Sequence, residues 1–366
     1  MRLAFLIDKF QTFQIIAGLV LEASARKHDC SVFCTFSPTG QVESLLKGRS
    51  VNFFYHDNRN SIIKKLAESR KEYDAVLGIN LFNSSLAIMY ENDNPQNYAF
   101  EYCWNEIYNQ RNDFNSAATL FCNSGQTLEM INSLCNFNNT AFVGSPWFEF
   151  LSKFRQNDAT KNRITVLAPH NSMYSHFGGK GLRKRVEKLM LNLREFCDDR
   201  QLMLSLKTRQ KYSQDYRGIV SFDEIVTDDD ILNHVTLYAS SRAVLHFCSS
   251  AINELSNLNV PFIAAAPDYQ KRLHPGTRHE SGIGLIHQKY YSGDIFDDVH
   301  CAELHSNDIT DRSLLFNKLD SLISGDKDWD TFLATHFLGD HQGSSARVMD
   351  IIEKRHVELN KDTADV

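Results

Sequence analysis

The run VLHFCSSAINELSNLNVPFI (244–263) brings together residue types that can hold an anion. An apolar strand ends near Phe247, two serines follow, and a helix is expected from about Ser250. The amides of Ser250, Ala251 and Ile252 then have no partner inside the helix. They point outward at the positive end of the helix dipole, where a phosphate is a natural occupant, and the hydroxyls of Ser249 and Ser250 add donors. Glu254 comes four residues after Ser250, one turn further along the same face. A capping box places its acid three residues after the cap, so Glu254 misses that role. Its carboxylate suits a ribose diol whose phosphate rests on the serines. The plainer alternative makes Ser250 an N-cap and Glu254 a favourable early-turn acid.

Other chemistry-bearing residues fall where strands are expected to end. His170 and Asn171 follow RITVLAP (163–169). HFGGKGLRKR (176–185) supplies glycines, Lys180 and Arg183 at the start of a helix, a combination that suits a pyrophosphate. LKTRQK (206–211) sets Lys207 and Arg209 just past a strand, where cations could neutralise a departing phosphate. Lys184, Arg185 and Lys188 read as solvated surface. In the first half, LIDKFQTFQ (6–14) places Asp8, Lys9, Gln11 and Thr12 after the first strand. Asp8 could take a proton from a hydroxyl, or cap the turn. YAFEYCWNEIYNQR (98–111) carries Glu101, Glu106 and Arg111 among aromatic rings, inside a long connection over 80–116. A carboxylate held there would have a raised pKa suited to general-base work, while Tyr102 and Trp104 read rather as aromatics packed into a core. Glu101 and Asp8 both stand as candidates for the base. TDDDI (227–231) reads as acids complementing a helix dipole, with Thr227 as N-cap, and no Cys/His spacing suggests zinc. No essential metal or other cofactor is expected.

These residues need a frame, and the hydrophobic pattern supplies one. LAFLI (3–7), CSVFCTF (30–36), VNFFYH (51–56), YDAVLGI (73–79), AATLFCNS (117–124) and TAFVGS (140–145) read as strands, with helices over 11–27, 61–71 and 127–134. PWFEFLSKFRQNDATKN (146–162) reads as a linker. Alternation resumes with strands at 163–169, 201–207, 218–222, 243–247 and 261–265 and helices at 181–196, 227–240 and from 250. A last helix is expected over 344–358. The fold class is therefore α/β, with two doubly wound Rossmann-like domains facing each other across a cleft. Residues 1–150 form the first domain, 151–340 the second, and 341–366 a C-terminal helix that packs on either.

Composition bounds the partners. The chain has 366 residues, 39 basic against 45 acidic, for a net charge of −6, too balanced to propose nucleic acid. Its 8 cysteines lack any Cys-x-x-Cys pair, and several lie in apolar runs, which points to a reducing compartment. MRLAFLIDKF makes a poor signal peptide, and no apolar run approaches the ~20 residues of a membrane span. The expectation is a cytoplasmic protein, with room for a peripheral contact at a membrane surface.

The stretch CSSAINELSNLNVPFI resembles the nucleotide-sugar site of GT-B glycosyltransferases and their relatives, the non-hydrolysing UDP-N-acetylglucosamine 2-epimerases and glycerophosphotransferases. There a small-residue turn opens a helix carrying a glutamate, and a proline-led strand follows. TLFCNSGQTLEMINSLCNFNNTAFVGSPWFEFL (119–151) is similar to the end of a first GT-B domain, and RITVLAPHNS (163–172) to the opening of a second. The resemblance gives Ser249, Ser250 and Glu254 on the donor side, joined there by the strand-end candidates His170, Lys180, Lys207 and Arg209, and it places the acceptor in the first domain with Asp8 and Glu101. It also implies that the SFDEIV loop (221–226) holds a base through backbone groups. The activity implied is sugar transfer from a nucleotide-sugar donor to a glycan or glycolipid acceptor, as in surface polysaccharide synthesis. A sugar-nucleotide epimerase, a hydrolase or an inactive binding module on the same fold are the alternatives. Where the epimerases carry His-Arg after the second domain's first strand, this chain has His170-Asn171.

Overall fold

The computed structural model describes residues 1–7, 10–35, 46, 48–79, 96–100, 119–123, 128, 132, 139–169, 179–208, 216, 218–227, 231–247, 251–265, 296–336 and 341–364. The chain divides into two compact units, Met1–Phe150 with Leu338–Val366, and Leu151–Phe337.

The first unit contains β1 (Arg2–Ile7), α1 (Phe10–Ala25), β2 (Asp29–Cys34), β3 (Val51–Tyr55), α2 (Arg59–Ser69), β4 (Ala75–Ile79), β5 (Asn97–Phe100), β6 (Thr119–Cys122), β7 (Thr140–Phe142) and α3 (Pro146–Leu151), which ends at the boundary. Its seven strands run in the order β3-β2-β1-β4-β5-β6-β7. Every pairing is parallel. A parallel sheet is covered on both faces, which is why its strands read as unbroken apolar runs.

The second unit holds β8 (Arg163–Leu167), α4 (Gly179–Asp199), β9 (Met203–Thr208), β10 (Glu224–Thr227), α5 (Ile231–Ala239), β11 (Ser241–His246), α6 (Ile252–Asn257), β12 (Phe262–Ala265), β13 (Cys301–Leu304), α7 (Arg312–Ser324) and α8 (Trp329–His336). Its six strands follow the order β10-β9-β8-β11-β12-β13, again all parallel, which is the doubly wound 3-2-1-4-5-6 order. On α4, Leu182, Val186, Leu189, Met190, Leu193, Phe196 and Cys197 recur at helical spacing and are buried. They pack with Leu315, Phe316, Leu319 and Leu322 of α7 over Ile164, Val166, Leu204, Leu206, Ala243 and Leu245 of the sheet. Arg200 locks the two helices together, gripping both oxygens of Asp320 at 2.7 and 2.5 Å with its guanidinium 4.0 Å above the Phe196 ring. Burial pushes the thiols of Cys30 and Cys197 up to about 12, so they act as apolar packing.

Helix α9 (Ser344–Ala364) belongs to the first unit and packs on α1. Arg26 at the end of α1 pairs with Asp350 at 2.6 Å and Glu353 at 3.0 Å, and His28 meets Glu353 at 2.7 Å. Both oxygens of Glu149 accept amides at the start of α9, Gly343 and Ser345, each at 2.9 Å.

Four expectations change. The connection over 80–116 contains a strand, β5, whose Tyr98 stacks on Phe121 at 5.5 Å and whose Phe100 meets the same ring at a tilt, 5.1 Å away. Aromatic residues continue past Phe100 in the sequence and hide its end. The segment 146–162 is not an open linker. Its Pro146 is the first residue of α3, and two 3₁₀ turns follow, Ser152–Phe154 and Asp158–Thr160. Residues 218–222 form a turn, and the strand lies later, at β10. Thr227 is the last residue of that strand and not a helix N-cap; the helix itself begins at Ile231.

The approach of α1 to α3 and α9 depends on Gly18. A Cβ there would stand 2.9 Å from the Pro146 carbonyl oxygen and 3.1 Å from Ser345 Oγ. Helix propensity alone favours alanine at such a site by about 1 kcal/mol. Crowding reverses the sign: Gly18→Ala is expected to destabilise by about 1–3 kcal/mol. A fall in the urea midpoint checks this, and an unchanged or higher midpoint contradicts it.

Candidate functional site

In the second sheet the strand order reverses between β8 and β11, which are neighbours although α4, β9, β10 and α5 separate them in sequence. In doubly wound sheets the connections at such a reversal depart to opposite sides, and the crevice at the carboxyl ends of the strands is where ligands bind. The Ser-Ser…Glu run leaves this reversal: β11 ends at His246, and Ser249 and Ser250 follow before α6.

Register decides which side chains share that end. Lys207 pairs with Leu167, Leu245 with Val166, and His246 with Ala264. Lys207, Leu167, His246 and Ala264 therefore form one row across the carboxyl end of the sheet, on the face opposite α4 and α7. Lys207 and His246 stand two strands apart, about 10 Å at the backbone. The same face carries Thr165 opposite Ser205 one step deeper. His246 is fully buried, with its ring centroid 5.5 Å from that of Phe262. Burial pulls its pKa down from 6.5 to about 3, so the imidazole is neutral at physiological pH.

Two helices flank the row. Helix α5 is pinned to this face through Ser241, whose hydroxyl donates to the Leu237 carbonyl at 2.7 Å and meets Thr165 Oγ1 at 2.7 Å. Helix α6 is only six residues long, and Ala251 before it already has helical angles (φ −58°, ψ −16°). So short a helix has little stability of its own. Buried Ile252 and Leu255 hold it on one side, and two cations hold its carboxyl end. Arg155 Nε donates to the Asn257 carbonyl at 2.8 Å, and Lys161 Nζ to the Asn259 carbonyl at 2.7 Å. Burial lowers the Arg155 pKa from its ordinary value, with Asp330 opposing the shift. Lys161, 2% exposed, also pairs with Asp158 at 2.7 Å.

Glu254 thus sits on a fixed helix. Its side chain is 18% exposed and its Oε2 lies 3.8 Å from Nε2 of His234 in the opening turn of α5. A separate groove of about 440 Å³ runs along β10 and α5, lined by Arg163, Glu224, Val226, Thr227, Asn233 and Ser240 among others, and neither His234 nor Glu254 lines it. Among the described residues no group of three or more His, Cys, Asp or Glu could hold a metal ion, and no helix is long and apolar enough to cross a membrane.

Of the sequence-derived site residues, Lys207 and Glu254 are described, both at or beside the carboxyl end of the second sheet. Asp8, Glu101, His170, Arg209, Ser249 and Ser250 lie outside the described residues, as does the side chain of Lys180 in the first turn of α4. Asp8 and Glu101 directly follow Ile7 and Phe100, the last residues of β1 and β5. His234 and His246 are functional candidates that the sequence pattern does not single out. A signal for His246 exists: a lone imidazole inside the otherwise apolar run AVLHF. His234 has none, because its partner lies twenty residues further on in another helix.

No protein-family model matches this chain, and no curated protein does. Solved structures share its fold. The UDP-GlcNAc 2-epimerase of Methanocaldococcus jannaschii is 10% identical with a TM-score of 0.64, over 97% of this chain and 100% of that one. The UDP-GlcNAc 2-epimerase of Neisseria meningitidis, bound to UDP-GlcNAc, is 12% identical with a TM-score of 0.59, over 97% and 100%. The calicheamicin glycosyltransferase CalG4 is 12% identical with a TM-score of 0.53, over 96% and 97%. The likeness is one of fold: two Rossmann-like parallel-sheet domains, as in GT-B nucleotide-sugar enzymes.

The neutral His246 has a measurable consequence. Folding holds it unprotonated, so below its ordinary pKa of 6.5 the unfolded chain binds the extra proton. Its contribution is full above pH 6.5 and is lost as pH falls toward 3, at about 1.4 kcal/mol per pH unit. In urea unfolding from pH 7 to 4, His246→Phe is expected to flatten the pH dependence by that slope. Equal slopes for variant and parent contradict a buried neutral imidazole.

Proposed function

We propose that the protein transfers a sugar from a nucleotide-sugar donor to a glycan or glycolipid acceptor, as surface polysaccharide synthesis requires. One observation carries this reading. The Ser249-Ser250…Glu254 run leaves the strand at which the second sheet reverses its order, and its glutamate rides on a helix gripped at its far end. The two-domain fold shared with nucleotide-sugar epimerases and a glycosyltransferase supports it.

In this reading the amides after β11 and the two serine hydroxyls receive the diphosphate, and Glu254 accepts the ribose diol. The base lies toward β10, whose residues line the groove beside α5. Lys207, with Arg209 and Lys180, offsets the charge that builds on the nucleotide as the glycosidic bond breaks. A carboxylate of the first domain, Asp8 or Glu101, takes the proton from the acceptor hydroxyl. These cations do the work that a metal does elsewhere, so activity is expected to survive chelation.

A second reading has its own support: the epimerases overlay with TM-scores of 0.64 and 0.59, against 0.53 for the glycosyltransferase. Epimerisation at C2 proceeds without an acceptor and exchanges the C2 hydrogen with solvent. Transfer needs an acceptor and leaves that hydrogen in place. Incubating UDP-, GDP- and CMP-sugars in D2O with and without acceptor glycans separates the two.

Binding is the first test. A ligand at 100 times its Kd stabilises the folded state by about 2.7 kcal/mol, so one of UDP, GDP, CDP or CMP is expected to raise the melting temperature. Glu254→Ala is expected to weaken that nucleotide about ten-fold and remove most of the shift. No shift with any of the four sinks the proposal.

A further inference from the structure

We infer that His234 is a positioning residue for Glu254: its imidazole, 3.8 Å from one carboxylate oxygen and outside direct hydrogen-bond reach, biases the carboxylate so that the other oxygen is presented to the ribose diol. The inference rests on the nucleotide reading of Glu254 given above and adds to it the residue that orients the carboxylate.

His234 and Glu254 come from helices with independent anchors. Helix α5 is tied to the sheet through Ser241 and Thr165, and α6 through Arg155 and Lys161. These anchors fix the two helices from which Nε2 and Oε2 approach to 3.8 Å. The imidazole is itself immobilised. Its side chain is 9% exposed, and its ring meets that of Tyr238, one helical turn on and 1% exposed, at 5.5 Å and 62°. Glu254 is the more open partner at 18%, so part of its carboxylate stays reachable. A glutamate on a short helix otherwise loses rotamer freedom when a ligand binds; a neighbour that biases the carboxylate removes part of that cost beforehand. A histidine kept only for packing has no need to turn a nitrogen toward the one acid of α6.

The test is calorimetric titration with whichever of UDP, GDP or CDP stabilises the parent most, in ribo and 2′-deoxy forms. His234→Phe keeps the ring against Tyr238 and removes the nitrogen. It is expected to weaken the ribonucleotide about five-fold and the deoxy form less. His234→Gln, which returns an amide nitrogen to the same region, is expected to restore most of the affinity. In a Glu254→Gln background His234→Phe is expected to add nothing, because the coupling has lost its second member. Should His234→Phe fail to fold by circular dichroism, His234→Leu supplies the same comparison. Parent-like binding by the Phe or Leu variant, additive losses in the double variant, or a Gln variant no better than Phe, each overturns the positioning role while a weak Glu254→Gln leaves the ribose reading intact. Glu254→Gln binding like the parent, or no binding by the parent itself, overturns that reading and this inference with it.

Discussion

A parallel sheet that reverses its strand order must send its connections to opposite faces at the point of reversal. Nothing in the regular fold then covers the ends of those two strands, and their last backbone groups face a crevice. In the second domain the reversal lies between β8 and β11. The row of Lys207, Leu167, His246 and Ala264 and the two helices beside it follow from that choice of order, and the chain leaves β11 toward Ser249 and Ser250 from there.

What the reversal leaves open, neighbouring groups must stabilise. The helix that carries Glu254 is too short to hold itself, and Arg155 takes the carbonyl of its last residue, Asn257, while Lys161 takes that of Asn259 just beyond it. Burying an ammonium such as Lys161 is costly without partners, and here it has a carbonyl and a carboxylate, each at 2.7 Å. At the opposite, carboxyl end of the sheet β11 carries a neutral imidazole, His246, whose charge is disfavoured by burial. The face of α5 and α6 thus carries Thr165, Ser205, Ser241 and His246 as buried polar groups, while an apolar cluster packs α4 and α7 on the other.

Much of this is legible in the chain. The alternation of apolar runs and helical periods marks most of the strands, and the Ser-Ser…Glu spacing draws attention to the end of β11 by residue type alone. The failures have physical causes. β5 is hidden because aromatic residues continue past Phe100. β10 (EIVT) is short, half-exposed and flanked by acids, so the more apolar GIVSF looks the better strand. β13 (CAEL) carries a glutamate in four residues and lies far from its neighbour β12 in sequence. Pro146 reads as a breaker but serves as a first helical residue, a role its missing N–H makes easy. The pairing of His234 with Glu254 joins two helices and has no local pattern at all. Distance in sequence, not weakness of interaction, is what conceals such contacts.

The central claim is that the turn after β11 receives a nucleotide phosphate while Glu254 receives its ribose. A crystal structure of the protein with UDP, or with whichever nucleoside diphosphate binds best, tests it most directly. The account expects phosphate oxygens within hydrogen-bond reach of the main chain at 249–252 and the ribose hydroxyls on the Glu254 carboxylate. A nucleotide bound elsewhere, or one bound at this turn with Glu254 directed away from the sugar, contradicts it.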